Sequence, residues 1–137
     1  MIWQDIVVQR SLSDHELLMG LAASFGVGLH EVLVCQSKDG FPEPKEDTKV
    51  VCISFERAKG FRMVLSLYTY FDPPRQIDPI ALTRIFARTV QTECLLAEDS
   101  PNPYTMIRVR PTGEVVKAKL DVDRLDDEGE YEVVERE

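Results

Sequence analysis

The sequence has few of the residues from which a specialised chemistry can be recognised. Its 137 residues include three cysteines, two histidines and one tryptophan. Cys35, Cys52 and Cys94 are far apart, odd in number and set in apolar runs, which argues against a disulfide scaffold and favours reduced, buried thiols. No apolar run approaches the ~18 residues of a membrane span, and no signal peptide is indicated. We therefore expect a cytoplasmic protein that does not bind membranes.

Motifs for catalysis and cofactor binding are also lacking. His15 and His30 lie in different predicted elements with no cysteine nearby, so neither a Cys–His nucleophile pair nor a metal site is predicted. There is no Gly-rich phosphate loop and no nucleophile elbow. The run from Asp121 begins like a calcium loop, but Leu125 and Asp126 stand where a ligand and a glycine are required. We expect no cofactor, no metal and no enzymatic activity.

Acidic residues are concentrated at the C-terminal end. The formal net charge is −8, and residues 121–137 contribute −7 of it through nine acids and two arginines. The rest of the chain is close to neutral. Arg84 and Arg88, four apart on one predicted helix, could contact phosphates, but the total field opposes nucleic-acid binding. We therefore expect a protein partner and no nucleic acid, with monomer and dimer both open.

Hydrophobic periodicity predicts an α+β fold in the order β-α-β-β-β-α-β-β-β. Helical spacing follows two capping signals, Ser13 with Glu16 and Asp78 with Pro79. The economical architecture places two helices on one face of a mostly antiparallel sheet, in a single domain of residues 1–137. Residues 1–71 and 77–134 look alike in their order of elements. They predict a duplicated βαββ unit, with independent packing of a simple unit as the alternative.

The predicted strand over residues 61–71 is the best candidate recognition surface. Its alternation places one face under the helices, comprising Phe61, Met63, Leu65 and Leu67. The opposite face carries Arg62, Tyr68 and Tyr70, residue types that are favoured in binding surfaces. A solvated outer face would have the same composition, because tyrosine is common in strands.

The acidic segment 121–137 has two interpretations. The predicted hairpin of residues 106–120 places Arg108 roughly opposite Lys117, an unfavourable pair that needs compensation. A last strand around residues 131–134 would bring acids to this hairpin in exposed ion pairs, each of small energetic value. Alternatively, the segment faces a partner through its acidic side chains, among them Asp126, Asp127, Glu128, Glu130 and Glu132.

These observations predict a small protein-interaction module, such as an inhibitor, an immunity-type neutraliser or a specialised chaperone. Its binding residues would be the strand face and the acidic segment, and the acidity would complement a basic cleft. The alternative is a ligand-binding domain with a pocket between its halves, lined by Tyr68, Tyr70 and Trp3. An enzyme without a readable motif ranks last.

Overall fold

The computed structural model describes residues 2–98 and 101–134, and within them the chain forms eight strands and three α-helices. The strands are β1 (Ile2–Val8), β2 (Val32–Gln36), β3 (Val50–Glu56), β4 (Met63–Thr69), β5 (Cys94–Ala97), β6 (Thr105–Val109), β7 (Val115–Leu120) and β8 (Val133–Val134). The helices are α1 (Asp14–Phe25), α2 (Pro79–Val90) and α3 (Val122–Glu128). None of these helices is long and apolar enough to cross a membrane.

All eight strands form one sheet in the order β2-β3-β4-β1-β5-β6-β7-β8. β2 and β3 are parallel, and the other neighbours are antiparallel. α1 and α2 pack on one face of the sheet, so the predicted α+β class and architecture are confirmed. The predicted last strand forms as β8, and α3, which precedes it, is absent from the predicted order. The duplicated unit stays a prediction.

The two long helices begin where the sequence indicates. Ser13 and Glu16 form a reciprocal capping box on α1, and the Asp78 carboxylate accepts a hydrogen bond from the first turn of α2. The helices approach each other closely at Gly20, where an added Cβ would lie 2.7 Å from Cγ1 of Val90. A larger side chain at this position would therefore separate α1 from α2.

Apolar side chains form two clusters, one on each face of the sheet. The cluster under α1 and α2 contains Met63, Leu65 and Leu67, as predicted. Phe61 was expected there too, but it lies in the second cluster with Val64, on the face that we call the outer face. The expectation was wrong because β4 begins only at Met63. Regular alternation therefore does not extend back to Phe61.

Residues 121–134, which we call the closing segment, cover the second cluster. The segment leaves β7, forms α3 and returns as β8, which pairs with β7. Just before β8, the carbonyl oxygen of Tyr131 accepts a hydrogen bond of 2.7 Å from the amide of Phe61, two residues before β4. The strands β4, β1, β5, β6, β7 and β8 are neighbours in this order, and the single bridge between Phe61 and Tyr131, just outside β4 and β8, closes them into a circuit. This circuit encloses the second cluster.

Candidate functional site

The structure divides the predicted recognition surface into two parts. Arg62 precedes β4, and its Nε donates a hydrogen bond of 3.2 Å to the carbonyl oxygen of Arg57. Tyr68 stands six residues further along, roughly 20 Å away at the rise of a strand. Val64 lies between them and is buried beneath the closing segment. Arg62 and Tyr68 therefore do not form one continuous surface.

At the tyrosine end, the loop between β2 and β3 crosses the outer face. The carbonyl oxygen of Gly40 lies 3.2 Å from Sγ of Cys35 on β2. The next residue, Phe41, packs edge to face on Tyr68 of β4, with 5.0 Å between ring centroids. Because β3 lies between β2 and β4, the loop passes over β3. This path accounts for the full burial of Val51 on that strand.

We call Phe41, Tyr68 and Tyr70 the aromatic patch. The Phe41 side chain is 54% exposed, although it is large and apolar. Within the described residues, neither tyrosine hydroxyl makes a hydrogen bond, so both are available to an outside partner. Rings with a polar tip are typical of protein interfaces because one side chain offers apolar area and a hydrogen bond. The patch also adjoins β2, which ends the sheet order.

The pocket predicted between the two halves does not bring its three residues together. Trp3 packs edge to face on Phe25 of α1, with 5.6 Å between ring centroids, and so belongs to the helix-covered face. Tyr68 lies on the outer face by alternation with Leu67. A cleft of about 460 Å³ beside β7 includes none of the three predicted residues, and Lys119 is among the side chains that line it.

The cysteines are free, but they differ in burial. Cys52 and Cys94 are fully buried, and burial raises the pKa of both thiols far above the ordinary value. Both thiols therefore stay protonated at neutral pH. Cys35 was expected to be buried as well, but it is only half-buried because β2 is an edge strand. In the part of the chain that the structure describes, no group of three potential ligands is placed to hold a metal ion.

Three acids of the closing segment surround Arg124. Its guanidinium nitrogens lie 3.4 Å from Glu128, 3.5 Å from Glu130 and 3.4 Å from Glu132. The charges of Glu128 and then Glu132 are the largest causes that raise the pKa of Arg124. Glu130 is only 6% exposed, so Arg124 is the cation that compensates its buried carboxylate. These three acids therefore bind a cation of their own segment.

Asp126 and Asp127, two further predicted binding residues, differ in their contacts. Asp126 accepts hydrogen bonds of 2.9 and 3.1 Å from the hydroxyl of Tyr104, which joins α3 to the chain just before β6. Asp127 is exposed and makes no hydrogen bond or ion pair within the described residues. Residues 135–137 of the predicted acidic segment lie outside the described residues.

The register of the second hairpin differs from the predicted one. Val109 pairs with Val115, which leaves a five-residue turn, residues 110–114, and places Arg108 opposite Val116. Arg108 and Lys117 therefore point to opposite faces of the sheet. The predicted repulsion between them is wrong because the turn is one residue longer than a tight turn of residues 111–114.

Three basic residues of this hairpin, Arg108, Arg110 and Lys117, form ion pairs with acids outside the closing segment. Glu93, immediately before β5, lies 2.5 Å from Nη2 of Arg108, and Glu98 lies 3.0 Å from Nζ of Lys117. A third glutamate, Glu114, pairs with Arg110 across the turn. The closing segment does pair with β7 as a strand, but the expected ion pairs between its acids and the hairpin bases are replaced by these contacts.

Two features of the site, α3 and Phe41, were not predicted from the sequence. α3 had readable signals, because Asp121 caps its first turn and Gly129 ends it in the left-handed conformation, with φ of +64°. Phe41 had no local signal, since only the path of its loop brings it onto Tyr68. Comparisons with protein-family models, curated proteins and solved structures found no significant match to this chain.

Proposed function

We propose that the protein is a non-enzymatic protein-interaction module whose recognition surface is the aromatic patch together with the neighbouring edge of β2. The observation that carries this proposal is the exposed Phe41 ring packed edge to face on Tyr68. When a partner covers the Phe41 ring, its apolar surface is removed from water, which favours binding. The neighbouring tyrosine hydroxyls can donate hydrogen bonds to the same partner.

The edge of β2 supports the same surface. Its sequence is Val-Leu-Val-Cys-Gln, and one side of its backbone has no strand partner within the described residues. Edge strands commonly carry lysine or proline, which prevent pairing with other chains, and β2 has neither. An extended segment of a partner can therefore add to the sheet at β2 while its side chains reach the aromatic patch.

The acidic closing segment supports a different role. Four of its five predicted binding acids, Asp126, Glu128, Glu130 and Glu132, contact residues of this chain. We therefore assign the segment to closing the outer face and assign recognition to the aromatic patch. An inhibitor, an immunity-type neutraliser and a specialised chaperone would all bind in this way. The free cysteines fit the predicted cytoplasmic location.

The test is capture of a partner from a lysate of the native host by three immobilised proteins: wild type, Phe41→Ser with Tyr68→Ser, and Arg62→Gln as the control. We expect the same specific partner on wild type and on the control, and its loss from the double variant. Circular dichroism should show that all three are folded. Equal capture of that partner by the double variant would refute the proposal.

The salt dependence of partner binding distinguishes the aromatic patch from the acidic segment as the recognition surface. Apolar contacts of the aromatic patch should hold the partner at about 0.5 M NaCl, where exposed charges are screened within a few ångströms. If the partner is instead released by salt and by neutralising Asp127, the acidic segment is the recognition surface and the proposal is wrong.

A further inference from the structure

Two arginines of α2 converge on the turn between β6 and β7. Nη2 of Arg84 and Nη2 of Arg88 lie 3.4 and 3.5 Å from the point where a Cβ on Gly113 would stand. Gly113 has φ of +95°, a conformation that side-chain-bearing residues rarely adopt. One helix therefore holds two guanidinium groups side by side over a glycine turn.

Among the residues that the structure describes, neither guanidinium has an acidic counterpart. Within the described residues, the guanidinium groups of Arg84 and Arg88 make no ion pair and no hydrogen bond, and the one acid of the turn, Glu114, already pairs with Arg110. Within the described residues, Arg10, Arg108, Arg110 and Arg124 each form an ion pair with a glutamate. Two like charges thus stand together unneutralised in a chain whose net charge is −8.

We propose that Arg84 and Arg88 form an oxyanion-binding site over the β6–β7 turn, which takes a phosphate or carboxylate group. Guanidinium groups match both oxyanions through pairs of parallel N–H donors, and two of them suit a group that carries more than one oxygen. The site lies on the helix-covered side of the molecule. It is therefore separate from the aromatic patch and does not depend on the proposed function.

The surroundings define the ligand further. Ile85, 44% exposed, precedes Arg88 by one helical turn, and Val115, 38% exposed, follows the turn of residues 110–114. The oxyanion site therefore has apolar neighbours on the helix and on the strand. The acidic total charge opposes a long polyanion such as nucleic acid. The site suits a compact anion, carried by a small molecule or a single side chain, with an apolar portion beside the charge.

The test is an NMR titration of the ¹⁵N-labelled full chain with inorganic phosphate and, separately, with succinate, at constant ionic strength set by NaCl. We expect saturable shifts of the Gly113 amide and of the Arg84 and Arg88 Nε–Hε signals. The tighter of the two probes identifies a phosphoryl or a carboxylate ligand. A non-saturable response, or shifts spread evenly over the basic surface, would overturn the proposal.

Two variants make the test specific. Arg84→Gln with Arg88→Gln should weaken binding at least about tenfold, because both donor pairs are removed. Arg62→Gln, a basic surface change elsewhere, should bind as wild type does. Without added anion, the double variant should melt no lower than wild type, since it relieves the repulsion between the two charges. Equal affinity of wild type and the double variant would show that the site does not exist.

Discussion

The two ends of the outer face are covered in different ways. At the hairpin end of β4, the closing segment lies over the second cluster, and Phe61 is only 5% exposed. At the opposite end, the loop after β2 crosses the face, and Phe41 remains 54% exposed on Tyr68. The same strand therefore presents its outer side to its own chain at one end and to solvent at the other.

This difference shows that residue type does not distinguish self-contact from recognition. Tyrosines occur at both ends of the outer face. Tyr131 packs against the second cluster and Tyr104 binds Asp126, whereas the hydroxyls of Tyr68 and Tyr70 have no partner within the described residues. What differs is whether a segment of the chain reaches the side chain and satisfies it. Unsatisfied polar tips beside exposed apolar rings are the features that indicate a binding surface.

The largest expected effect compares the two phenylalanines. Phe61→Ala should lower the free energy of unfolding by about 3–5 kcal/mol, because it leaves a cavity in a closed cluster. Phe41→Ala should lower the free energy of unfolding by less than about 1 kcal/mol, because truncating a half-exposed ring removes little buried apolar area. Urea denaturation followed by circular dichroism measures both. Similar losses in the two variants would mean that the ends of the outer face are equally packed in solution.

We expect a smaller effect from substitutions of the charged residues of the closing segment. Arg124→Ala should destabilise the fold, because it leaves the buried Glu130 carboxylate without its cation. Adding Glu130→Gln should recover most of the loss, since no uncompensated charge then remains. Glu128→Gln, at the exposed pair, should cost only about 0.3 kcal/mol. The urea midpoints of wild type and the three variants measure these changes. If Glu130→Gln does not restore the stability that Arg124→Ala loses, Arg124 stabilises the fold by packing alone.

Local signals were enough to predict most of the fold. The caps at Ser13 and Asp78 and the alternation of Met63, Leu65 and Leu67 identify elements and their buried faces, because each depends on neighbours in sequence. Phe61 and Arg108 show where such reasoning fails. A single irregular residue before β4, and one extra residue in the β6–β7 turn, each reverse which side of the sheet a side chain faces.

The candidate site was less predictable than the fold. Tyr68 and Tyr70 were found from alternation, but Phe41 joins them only because a loop of irregular backbone passes from β2 over β3 to β4. The role of the acidic segment depends on the hydrogen bond between Phe61 and Tyr131, which are seventy residues apart in sequence. Contacts of this kind follow from the path of the whole chain, and periodicity carries no information about them.

The smallest expected effect is a shift in the pKa of Tyr104, which contacts the closing segment. The hydrogen bond from Tyr104 to Asp126 raises the pKa of this tyrosine above its ordinary value of 10.0, because the neutral hydroxyl is the form that can donate. The contact therefore stabilises the fold below pH 10 and is lost as the pH rises through the raised pKa. Asp126→Asn should lower the Tyr104 pKa in a ¹³Cζ-tyrosine NMR titration. Asp127→Asn, its exposed neighbour, should leave the titration of Tyr104 unchanged. If both substitutions have the same small effect, α3 is not docked on Tyr104 in solution, and the closed end is more open than its apolar packing indicates.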